Sequence, residues 1–204
     1  MKSKVLILAA VLASSAMGAT VTLTMGEVST QSINGLVVNK GGISFTFSNP
    51  AGNLFYNQSN GGTLTYVQDP TIEGGTSAFG VAFSAPVYTV QFGLAVSTSS
   101  PVATMATVAL FYNSTTAFAT FPLGSSLTDP FAEGQFTYNG ALGPVTNILI
   151  TPTGTGFTAL GFDNLTVTTS PIGVAVPAAS PLTLALTGIC LAGLTLLLLR
   201  KRAA

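Results

Sequence analysis

Six carboxylates carry nearly all the acid–base chemistry available to the middle of this 204-residue chain: Glu27, Asp69, Glu73, Asp129, Glu133 and Asp163. There is no histidine, and the one cysteine, Cys190, sits inside an apolar run outside that region. A Ser-His-Asp triad is therefore excluded, as are a thiol nucleophile and a Cys/His zinc site in the middle of the chain. A Ser-Lys pair would have to use Lys40, which precedes Gly41-Gly42 in a predicted turn. A glycosidase needs two carboxylates flanking one glycosidic bond. None of the six stands in an aromatic-rich stretch, and Asp129 precedes Pro130 in a turn. The chain is read as non-enzymatic and without a cofactor.

Two binding chemistries remain. Calcium takes six to eight oxygens, and Glu27, Asp163 and Asn164 are the candidate ligands. For Asp163 and Asn164 the preferred role is plainer: short polar side chains hydrogen-bonding their own turn. Sugar recognition calls for an aromatic ring beside amide or hydroxyl donors. The stretch "NLFYNQSNGG" reads as a polar loop carrying Tyr56 and Asn57, the candidate sugar-facing pair. Nucleic acid is excluded as a partner, because between the two ends one lysine stands against six acids, a net charge of −5.

The elements that must position these groups are strands. Apolar residues make up 48% of the chain and charged residues only 6%, and from about residue 20 to 169 the apolar positions alternate rather than recur at helical spacing. "TVTLTMG" places Val21, Leu23 and Met25 on one face, "GISFTFSN" places Ile43, Phe45 and Phe47, and "YTVQFGLAV" places Val90, Phe92, Leu94 and Val96. Further strands are predicted at "GTLTYV", "SAFGVAFS", "TVALFYN", "AFATFPL", "GQFTYNG" and "TNILITP", with turn signals such as "NPAGN", "SNGG", "EGG" and "PTGTG" between them. In "TALGFDNLTVTT" Leu160 and Phe162 share one phase while Leu165 and Val167 fall on the other. A bulge or tight turn at Asp163-Asn164 is required if both pairs are buried. The predicted fold is all-β, an antiparallel β-sandwich.

The basic residues lie elsewhere. Lys2 and Lys4 precede the unbroken apolar stretch Val5–Ala13, and small residues follow. This is the layout of a secretory signal peptide, with cleavage after Ala16, Gly18 or Ala19. Leu182–Leu199 has no charged residue; its 18 positions would make a helix of about 27 Å, enough to span a bilayer. Arg200, Lys201 and Arg202 follow directly, in the position of a translocation stop on the cytoplasmic side. The predicted organisation is a signal peptide over 1–19, a β-sandwich domain over 20–169, a linker over 170–180, a transmembrane helix over 181–199 and a basic cytoplasmic tail over 200–204.

"LALTGICLAGLTLLLLRKR" with the upstream Val176-Pro177 resembles the PEP-CTERM sorting segment of Gram-negative exosortase substrates. Val176 and Pro177 match the start of that family's short motif, whereas Ala178 and Ala179 stand where Glu and the second Pro are expected. The run from "FSAPVYTVQFGL" through "GPVTNILI" to "GFDNLTV" is also similar to the jelly-roll bodies found in front of such tails. The resemblance implies export through the Sec translocon and an inner-membrane-anchored precursor. It implies processing near Pro177 by an exosortase-type enzyme and delivery to the cell surface or extracellular matrix. The expected function is that of a non-enzymatic cell-envelope or matrix protein. The alternative is a carbohydrate-binding module acting on exopolysaccharide.

Overall fold

The computed structural model describes residues 18–59, 64–128, 130–154 and 156–169. Among them lie thirteen strands and no helix. In chain order they are β1 (Thr20–Leu23), β2 (Gln31–Ser32), β3 (Val37–Lys40), β4 (Ile43–Ser48), β5 (Leu54–Gln58), β6 (Thr71–Gly74) and β7 (Phe79–Val87). They continue as β8 (Thr89–Val96), β9 (Ala106–Phe111), β10 (Ala119–Leu123), β11 (Ala132–Tyr138), β12 (Val145–Pro152) and β13 (Leu160–Thr168). One sheet runs β11-β8-β13-β6-β5-β2, with β1 also paired to β13. The other runs β10-β9-β12-β7-β4-β3. The pairings are antiparallel, and the two sheets form a β-sandwich.

Alternation fixes which face is buried. In β4 the pattern Ile43, Phe45, Phe47 points inward while Thr46 and Ser48 face solvent. Phenylalanines then join the sheets across the core. Phe79 of one sheet meets Phe162 of the other edge to face, with ring centroids 5.2 Å apart, and Phe47 meets Tyr56 in the same manner at 5.8 Å. Burying each such ring contributes about 1.5–3 kcal/mol, which an almost ion-free chain needs as its main source of stability. The β3–β4 hairpin turns on Gly41-Gly42, with φ of 58° and 80°. Both residues take the left-handed conformation that a two-residue hairpin of this twist requires.

The expected bulge is present. The pairing of β13 with β8 slips between Asp163 and Thr166, and Asn164 adopts φ 55°. The slip lets Leu160, Phe162, Leu165 and Val167 all face the core. Five stretches differ from the sequence reading. "GTLTYV" is not a strand: its described part, Leu64–Val67, closes a turn through Leu64 N–H donating to Val67 O at 2.9 Å. "NLFYNQ", read as a polar loop, forms β5, and "TIEG", read partly as a turn, forms β6. β2 and β3 had no counterpart among the predicted strands; they are short edge strands of two and four residues, and in β3 Val37 is exposed and Val38 buried.

Candidate functional site

Tyr56 is not sugar-facing. As the middle residue of β5 it shares a face with Leu54, and both are fully buried. Its hydroxyl donates to Glu27 Oε2 at 2.6 Å, and its ring packs on Phe47. Burial, then the hydrogen bond to Glu27 and the charges of Glu27 and Asp163, push the phenol well above its usual range. Asn57 is committed as well. It sits at a bulge in the β5–β6 pairing with φ 59°, and its amide donates to Val28 O at 2.8 Å. The outward aromatic of this strand is instead its neighbour Phe55, 41% exposed. A strand has period two, so reading β5 as a loop sent the wrong ring to the surface.

Glu27 is the hub of a hydrogen-bond network. Its Oε1 accepts from Lys40 Nζ at 2.6 Å and from Thr24 N–H at 2.9 Å, while its Oε2 is bound by Tyr56. Burial alone would raise its pKa. The bonds from Lys40, Tyr56 and Thr24 outweigh that and hold it at about 2. Asp163 lies within electrostatic reach, because the Glu27 charge contributes to its shift. Its Oδ2 accepts Gln68 N–H at 3.1 Å and the carboxylate also accepts Asn164 N–H, while Oδ1 is buried with no hydrogen-bond partner. Burial lifts this carboxyl to about 6 against those two bonds. Asn164 serves the bulge, and its amide reaches Tyr66 O at 3.4 Å. Among the described residues no group of three acidic, histidine or cysteine side chains could hold a metal ion. Asp163 and Asn164 both sit at the β13 bulge, where they bond Gln68 and Tyr66 of the neighbouring loop.

Two buried carboxylates fasten residues 64–68 across the outer face of the first sheet. Glu133, 1% exposed, accepts Thr65 N–H at 2.9 Å and Tyr66 N–H at 2.8 Å on its two oxygens. Asp163 holds the other end through Gln68. Beneath this strap the sheet must be flat, and it is: a Cβ added to Gly93 would overlap the Tyr66 carbonyl.

A cleft opens beside the strap. One cross-strand row on the outer face reads Phe55, Glu73, Gly161, Ala95, Glu133 through β5, β6, β13, β8 and β11. The two smallest side chains, Gly161 and Ala95, form a floor. Phe55 and Glu73 rise on one side, and Leu64 and Val67 of the strap on the other. Phe131, 37% exposed, stands at the margin. The space is about 360 Å³, within the range of small-ligand sites. Thr71 Oγ1 donates to Glu73 Oε1 at 2.7 Å. Apart from the carboxylates Glu73 and Glu133, none of these residues stands out by type. The one signal was the pair of small residues inside otherwise bulky strands, "GLAV" and "LGFD".

No family model, no curated protein and no solved structure matches the chain. The predicted sorting pair Val176 and Pro177 and the predicted stop residues Arg200, Lys201 and Arg202 lie outside the described residues, as do residues 1–17 of the predicted signal peptide.

Proposed function

We propose that this chain is an exported, non-enzymatic cell-envelope or extracellular-matrix protein with a jelly-roll-like body. Residues 1–19 direct it to the Sec translocon. Leu182–Leu199 hold the precursor in the inner membrane, and Arg200, Lys201 and Arg202 stay on the cytoplasmic side. The observation that carries this reading is the sequence layout of a motif, an apolar span and a basic triplet in that order. An exosortase-type enzyme then acts near Pro177, and the body passes to the cell surface or matrix.

The body's carboxylates support a scaffold role. Glu27 ties Lys40 to Tyr56, Glu133 and Asp163 fasten the strap, and Glu73 accepts from Thr71. Carboxylates already engaged in holding the fold are poorly placed to exchange protons with a substrate. The carbohydrate-binding alternative loses its anchor with Tyr56 inside the core.

Pro177→Ala tests the sorting step. The substitution lies outside the apolar span, so a plain membrane anchor would tolerate it. Under the sorting reading, full-length precursor accumulates in the inner membrane. Unchanged delivery of the body would contradict it.

A further inference from the structure

The cleft on the outer face of the first sheet is a built feature. Its strap wall rests on two carboxylates that are 1% and 2% exposed, in a body where charge is scarce. Burying a carboxylate is costly unless its oxygens are bonded, and Asp163 retains one that is not. A loop that only joined β5 to β6 would not need such anchors. They fix Leu64 and Val67 above the Gly161–Ala95 floor and so hold the cleft open in advance of any ligand.

The lining selects the ligand's chemistry. Phe55, Leu64, Val67, Ala95 and Phe131 are apolar and outnumber the uncharged polar groups of Gln58 and Ser97, which suits a hydrocarbon or aryl body and leaves few partners for the many hydroxyls of a sugar. The acidic group among the lining residues is Glu73, half-buried between Phe55 and the floor. The described body carries Lys40 as its one cation, and that lysine is paired with Glu27. Both the local carboxylate and the surrounding negative charge favour a cation and disfavour an anion.

We propose that this cleft binds a small hydrophobic amine, with its apolar body on the Gly161–Ala95 floor between Phe55 and the strap and its ammonium against Glu73. The amine's hydrocarbon displaces water from Phe55 and Phe131, and its N–H groups donate to a carboxylate whose surroundings strengthen the pair. The site is independent of how the tail is processed.

Photo-crosslinking of the full-length purified chain tests this. The probe is an aryl-diazirine benzylamine, compared with its benzyl alcohol and benzoate counterparts, and mass spectrometry locates the adducts. Saturable amine labelling is expected on peptides bearing Phe55, Leu64–Val67 or Phe131, with the alcohol weaker and the benzoate weakest. Glu73→Gln should lower amine occupancy about tenfold, the loss of one charge-assisted contact, and leave the alcohol unchanged. Gly161→Val fills the floor, where an added Cβ would lie 3.4 Å from Val67 Cγ1, and should abolish labelling by both. Benzoate labelling equal to that of the amine would overturn the proposal. So would amine labelling that both variants leave intact, or adducts that fall outside the cleft.

Discussion

Glu27 and Asp163 are two carboxylates a short way apart that the fold treats in opposite ways. Glu27 has donors from Lys40, Tyr56 and Thr24, and its pKa falls from 4.5 to about 2. Its contribution to stability is fully present above pH 4.5 and is lost as pH falls towards 2. Asp163 is desolvated with one oxygen unbonded, and its pKa rises from 3.8 to about 6. Over that interval the folded state binds more protons than the unfolded state. The contribution of Asp163 is therefore fully present below pH 3.8 and is lost as pH rises through about 6. Urea denaturation across pH should show stability declining from about pH 4 to 6 on account of Asp163. Asp163→Asn should flatten that limb, and Glu27→Gln should flatten the acid one. A slope between pH 4 and 6 that survives Asp163→Asn would refute the assignment.

At the level of elements, the strap and the strands beneath it depend on one close approach. Gly93 lies under the Tyr66 carbonyl, where no Cβ can fit. Gly93→Ala should cost about 1–3 kcal/mol, the usual penalty for forcing atoms into packed space. It should also lift the strap, so that the Thr65 and Tyr66 amides, now bonded to Glu133, exchange with solvent faster while those of β12 do not. Unaltered protection at Thr65 and Tyr66 would show that the strap does not rest on Gly93. The strong alternators β4, β7, β8, β9 and β12 were legible in the sequence because each carries its own inward face. The β13 bulge was legible too, since the phase change between Phe162 and Leu165 admits no other solution. β5 was not. The bulge at Asn57 interrupts its alternation, and the polar "NQS" that follows resembles a loop. The strap misled in the other direction, because "LTYV" alternates well but is held by Glu133 and Asp163, contacts spanning 67 and 95 residues. A cleft assembled from Phe55, Glu73, Gly161 and Ala95 requires the register of four strands, which no local pattern supplies.

For the whole molecule, charge is distributed by task. The body holds six acids and Lys40; the remaining cations flank the two apolar stretches at Val5–Ala13 and Leu182–Leu199. A sandwich stabilised by phenylalanine packing and hydroxyl hydrogen bonds, such as Thr22 to Thr166 at 2.8 Å, needs few ions to fold. Under the proposed reading, the remaining cations act at the membrane, where such residues set topology. Export followed by removal of the apolar span is the reading most exposed to test, and the intact mass of the mature protein from its native cell decides it. A mass lacking both residues 1–19 and the segment "LLLLRKRAA" is predicted. A mature mass that retains "LLLLRKRAA" would contradict tail processing and leave a protein anchored by Leu182–Leu199.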